Sequence, residues 1–179
     1  MNRMSLGTLA VVAALCATSP LHAQLIERGE GFRFGLGLGA TFPTSDYGTA
    51  DKMGVNILGV FEAPLAHSPL YLRVDGLYSS TAHEVGTGNT SLLGATVSAL
   101  YHFSAPKATA RPYALGGLGI FNADFGPSSQ TKISYGLGGG VTFNLASFNA
   151  FAEARYMSVQ TSGGSLTFIP ITVGLMFGY

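Results

Sequence analysis

Four sets of residues in this chain have the types and spacing to do chemistry. His102 and Ser104 are two positions apart. Alternate residues of a strand share a face, so the imidazole could take a proton from the hydroxyl, with Glu62 as the acid that orients it. Gly35-Leu-Gly37-Leu-Gly39 and Gly136-Leu-Gly-Gly-Gly140 echo loops that cradle phosphates with bare backbone. Asp46 and Asp51, with loop carbonyls, could hold calcium weakly. Last come six isolated charges inside otherwise uncharged segments: Arg33, Glu62, Arg73, Asp75, Glu153 and Arg155.

What these residues can do depends on the elements that carry them. The plainest element is the last stretch, 168–179. Tyr179, Phe177, Leu175, Val173, Ile171 and Ile169 alternate there with smaller or more polar positions. A period of two over a dozen residues is a strand with one greasy face. A tilted strand needs about 9–11 residues to cross a bilayer. The same alternation recurs over 32–42, 53–63, 70–80, 90–103, 132–144 and 149–160. Segment 112–121 is a further strand, but both of its parities are apolar or glycine, so its facing is open. Turn-rich pieces separate the segments, and the longer ones are loops over 43–52, 81–89, 122–131 and 161–165.

Composition points the same way. Charged residues make up 10% of the chain, against roughly 25% in soluble domains. Net charge is zero, which gives no footing for nucleic acid. Arg3, the apolar run 6–17 and Pro20-Leu-His-Ala23 read as an export signal over residues 1–23, leaving one domain over 24–179. The single cysteine, Cys16, falls within that signal, so the mature domain has no thiol or disulfide chemistry.

The eight segments, the terminal aromatic and the export signal together resemble the OmpA/OmpX-type family of small outer-membrane barrels. The resemblance implies an all-β, eight-stranded antiparallel up-and-down transmembrane barrel, porin-like in build, in the outer membrane of a Gram-negative envelope. It implies both termini on the periplasmic side, a monomer, and Phe177 and Tyr179 as the carboxyl-terminal assembly signal. Its partners would be outer-membrane lipid and lipopolysaccharide, with the barrel-assembly machinery and periplasmic chaperones during biogenesis. Outward aromatics near strand ends (Phe42, Phe61, Tyr78, Tyr101, Phe103, Tyr135, Phe143, Tyr179) suit interfacial girdles.

In that frame the chemistry recedes. The glycine runs lie inside strands, and Pro43 rather than a helix follows the first of them, so no cofactor is expected. No metal spacing convinces. Some outer-membrane lipid A deacylases use a His–Ser pair on a small barrel. Here His102 and Ser104 would sit inside, at the periplasmic end, far from outer-leaflet acyl chains, so no enzymatic activity is expected. The six charges fall on inward faces, in the periplasmic half or near mid-height. Three of each sign in a confined lumen suggest mutual pairing, with the inward glycines making room for the long arginines. The expected role is a self-satisfied plug supporting envelope integrity or surface interaction. Three other functions remain open: a narrow gated pore for water or small ions, a soluble lipocalin-like ligand binder built inside out, and a lipid-modifying barrel enzyme working through His102 and Ser104.

Overall fold

The computed structural model describes residues 31–178 apart from 45–50, 66–68, 84–88, 105–107, 125–128, 146–147 and 162–163. The segment 1–23, expected to be an export signal, and Tyr179 lie outside the described residues. The chain forms eight strands: β1 (Arg33–Thr44), β2 (Gly54–Pro64), β3 (Leu70–Ala82), β4 (Asn89–His102), β5 (Ala110–Asp124), β6 (Ser129–Asn144), β7 (Asn149–Thr161) and β8 (Gly164–Phe177). Each pairs antiparallel with its sequence neighbour, and β1 closes on β8, so the sheet has no edge. That closure is what a sheet in hydrocarbon requires, because no water is present to satisfy an edge. Among the described residues no helix is long and apolar enough to cross a membrane.

The strands are steeply staggered. Paired residues followed round the barrel from Arg33 pass through Glu62, Arg73, Ser98, Gly117, Gly136, Met157 and Phe168. They return to β1 at Pro43, ten positions beyond the start. Such a stagger goes with strongly tilted strands and an interior that side chains just fill.

The alternation in sequence becomes an inside and an outside. Leu36, Leu38, Val55, Ile57, Val97, Leu118, Ile133, Leu137 and Val173 point out and are exposed, while the interleaved Leu58, Val60, Leu92, Phe151 and Met157 are buried. At the end holding both termini, the terminal end, the outer aromatics include Phe32, stacked on Phe61, and Phe34, against Phe177. Phe42 and Tyr78 stand on the outer face nearer the other end. The described part of the chain turns at Gly178, whose φ is +112°. A Cβ there would lie 2.2 Å from the Phe32 carbonyl oxygen, so both the conformation and the close approach call for glycine.

Strand five differs from expectation. It runs over Ala110–Asp124 rather than 112–121, and β6 starts at Ser129 rather than 132, so the loop expected over 122–131 is shorter. These extra rungs stand at the barrel rim, where a strand no longer needs apolar residues; Asn122 Nδ2 donates to Thr131 Oγ1 across one of them at 3.2 Å. The facing of β5 is set by its partners: Arg111, Tyr113, Leu115, Phe121 and Ala123 are buried, and Leu118 and Ile120 are exposed. β8 likewise begins earlier than the expected 168, at Gly164.

Candidate functional site

All six charges singled out in the sequence are buried in the lumen, and they touch. Cross-strand register brings the first of them together: Arg33 pairs with Glu62, and Glu62 with Arg73. Arg33 Nη2 lies 2.8 Å from Glu62 Oε2. Arg73 Nη1 reaches Glu62 Oε1 at 3.4 Å and, across the barrel, Glu153 Oε2 at 2.7 Å. Arg155 Nε donates to Glu153 Oε1, and its Nη1 lies 2.8 Å from Asp75 Oδ1. The chain of contacts therefore runs Arg33, Glu62, Arg73, Glu153, Arg155, Asp75, alternating in sign throughout. Buried charges are tolerable when every one is paired in this way.

Aromatic rings complete the setting. Tyr113 Oη donates to Glu153 Oε2 at 2.7 Å. The Arg33 guanidinium lies 4.7 Å from the Tyr71 ring centroid, and that of Arg73 5.9 Å from Phe151, both within cation–π range. Glycines opposite the long side chains leave them room. A Cβ on Gly138 would lie 2.8 Å from Arg155 Cγ, and one on Gly140 would lie 2.6 Å from Tyr113 Oη and 2.4 Å from the Ala152 carbonyl oxygen. Backbone cannot retreat, so Gly140→Val is expected to push Tyr113 off Glu153. The resulting overpacking should destabilise by on the order of 1–3 kcal/mol, read as a smaller fast-migrating fraction on an unboiled SDS gel.

Sequence reasoning missed one member. Arg111, expected in the turn before strand five, is buried inside it, with its guanidinium 5.9 Å from the Tyr71 ring. Among the described residues the buried charges thus include a fourth arginine, and a fourth buried carboxylate, Asp51, lies apart from the network beside Thr81. The one available signal was parity, since Arg111, Tyr113 and Leu115 alternate with Pro112 and Ala114.

The His–Ser arrangement does not form. His102 is buried at the end of β4, and its Nε2 stands 3.2 Å from Arg33 Nη2. An arginine only donates, so that nitrogen is an acceptor and the ring is neutral. Tyr71 and Tyr113 meet the ring edge-on at 5.0 and 5.5 Å. Glu62 is engaged by Arg33 and Arg73 instead of the imidazole. Among the described residues no group of three metal-ligating side chains occurs. Asp51 is buried and accepts from Thr81 Oγ1 at 2.7 Å; Asp46 lies outside the described residues.

Farther from the terminal end, a hydroxyl–amide cluster ties four strands. Ser79 and Asn56 donate to Thr41 Oγ1 at 2.8 and 3.3 Å, and Thr172 donates to Asn56 Oδ1 at 2.8 Å. Beyond the charges the lumen closes with Leu77, Leu92, Phe121, Met157, Val159 and Phe168, all buried. Phe121 and Phe168 meet edge-on there, with centroids 6.1 Å apart.

A closed barrel with an apolar outer belt and its charges locked inside defines an integral membrane barrel of the outer-membrane class. The chain belongs to the outer membrane protein beta-barrel domain family, whose model matches residues 8–178. No curated protein matches the chain in sequence. Among solved structures it is similar to Neisserial surface protein A, with 20% identity and a TM-score of 0.68 over 84% of this chain and 98% of that one. It is also similar to Ail, the attachment invasion locus protein of Yersinia pestis, with 16% identity and a TM-score of 0.55 over 83% and 99%. A structure of Ail in complex with the heparin analogue sucrose octasulfate matches with 18% identity and a TM-score of 0.50 over 83% and 99%. At such identities the likeness shows the fold alone.

Proposed function

We propose that this protein is a non-enzymatic barrel of the outer membrane, with a structural or surface-interaction role and a lumen that serves as a fixed plug. One observation carries the reading: six of the buried charges are spent on one another, and an apolar layer around Phe121 and Phe168 lies between them and the far end. A channel would need those pairs exposed to water, and catalysis would need a nucleophile and base free to meet a substrate.

The terminal end faces the periplasm, as closure of an even number of strands allows. Phe177, exposed on the outer face of β8 beside Phe34, and Tyr179 then present the assembly signal to the barrel-assembly machinery. Periplasmic chaperones deliver the chain, lipid and lipopolysaccharide meet its outer belt, and it works as a monomer. The loops over 44–52, 81–89 and 122–131 carry Asp46, Glu84 and Asp124 against Lys52 alone, with Asp51 turned inward to Thr81. A surface partner is therefore neutral or basic at its contact. A sulfated polyanion of the kind bound by Ail would be repelled.

Planar-bilayer recording tests the plug. The expected result for the refolded protein is no single-channel steps at any holding potential that the bilayer survives. Steps that change in size in Glu153→Ala would replace this reading with that of a narrow gated pore.

A further inference from the structure

At the terminal end of the lumen a histidine is set among arginines. Register pairs His102, the last residue of β4, with Tyr113 on β5. Arg111, two residues before Tyr113 and buried on the same inner face, is therefore its diagonal neighbour. Arg33 approaches from β1, with Nη2 3.2 Å from His102 Nε2. Both guanidiniums also lie near one ring, that of Tyr71, at 4.7 and 5.9 Å from its centroid. Because Nε2 accepts from Arg33, the ring proton is on Nδ1. That N–H belongs to a residue 1% exposed and has no acceptor among the described residues. Arg33 Nε is a second buried donor at this end without an acceptor. The carboxylate here, Glu62, already divides its oxygens between Arg33 and Arg73.

A buried donor left without an acceptor is costly, and such groups in folded proteins are nearly always bonded. We infer that this corner of the lumen mouth, His102 with Arg111 and Arg33 beside the Tyr71 ring, is an oxyanion site that takes a carboxylate or phosphate group. The donors name the ligand. His102 Nδ1, Arg33 Nε and the Arg111 guanidinium can only donate, so the ligand must accept. A metal cation would meet two guanidiniums. A neutral molecule satisfies a donor but turns a donor of its own toward two positive groups. An oxyanion accepts through several oxygens, and hydrogen bonds to an ionised partner are roughly twice as strong as neutral ones. The imidazole is then a neutral anchor, the arginines supply the charge, and no bond is made or broken. Two sources offer that chemistry. Glu27 and Glu30, outside the described residues, precede Arg33 by six and three positions. An extended chain spans about 3.3–3.6 Å per residue, so either carboxylate is within reach of the mouth. The other source is an oxyanion from solution at the terminal end.

The test follows the His102 Nδ1–H by nitrogen-edited NMR of the barrel refolded in zwitterionic micelles. Inorganic phosphate is titrated in, against sodium chloride at equal ionic strength. The expected result is a slowly exchanging Nδ1–H signal that depends on an oxyanion. A signal present before phosphate, lost in the Glu27→Gln, Glu30→Gln double variant and restored there by phosphate assigns the carboxylate to the chain itself. A signal that appears only with phosphate, alike in wild type and double variant, assigns the ligand to solution. In the double-variant background Arg111→Gln should raise the phosphate concentration at half-response about tenfold or more, as loss of one hydrogen bond to a charged group does. If that protein does not fold, Arg111→Lys keeps the charge without the planar fork and should shift the half-response in the same direction. Three outcomes overturn the inference: a signal absent throughout or unmoved by phosphate and by the glutamate substitutions, a response that chloride reproduces, or a half-response that the Arg111 substitutions leave unchanged.

Discussion

Arg73→Ala is expected to destabilise the barrel by about 3–5 kcal/mol, the usual result of leaving buried charges without their partner. Arg73 is 1% exposed and its Nη1 bridges two carboxylates on different strands, Glu62 and Glu153. Glu62 keeps Arg33, and Glu153 keeps Arg155 and Tyr113, but the link across the lumen is gone. Lysine is not a substitute, because a compact ammonium cannot span two acids as the planar fork does. A double-mutant cycle with Glu153→Gln isolates the cross-lumen pair, with an expected coupling of roughly 0.5–3 kcal/mol. The measurement is the fraction of fast-migrating, unboiled protein against urea after folding into lipid vesicles. A shift below about 1 kcal/mol would match an exposed surface pair and would show that water reaches Arg73.

That network shows where the sequence is informative and where it is not. Period two assigned the facing of every strand whose parities differ in polarity: Arg33 and Glu62 had to be inside because Phe34 and Phe61 had to be outside. Strand five defeated the method for a physical reason. Its inner positions include Gly117 and Gly119, because side chains from neighbouring strands need that space. A glycine inside and an alanine outside look alike to a polarity count. Arg111 was lost with it, assigned to a turn that the strand in fact covers. Partner choice was illegible as well. Sequence placed six charges in one lumen, but that Arg73 meets Glu153 on the far wall depends on a register offset that only closure of the barrel fixes. The apolar closure at Phe121 and Phe168 joins β5 to β8 across the lumen, a contact that no local pattern announces.

The second large effect is expected on the outside, where Leu118→Arg should destabilise the vesicle-folded barrel by about 2–4 kcal/mol, the known range for arginine on the lipid face at mid-depth. Leu118 is 68% exposed, near the middle of β5, between Val97 and Tyr135 on its neighbouring strands. By surface area alone this is the most open of the large apolar side chains described, and in a water-soluble barrel an arginine there would change stability by no more than about ±0.5 kcal/mol. The same substitution thus has opposite expectations for the two arrangements that one apolar face allows. In lipid the guanidinium must be dragged toward a headgroup or hold water around itself, and mid-strand it is far from either interface. Leu118→Ala serves as the control, since it removes side-chain contacts without adding charge. A loss in Leu118→Arg that far exceeds the loss in Leu118→Ala fixes the outer belt as the lipid surface. Equal small losses would mean that the belt at Leu118 does not meet hydrocarbon, and the lumen charges would then have to be reconsidered as the lining of something wetter than a plug.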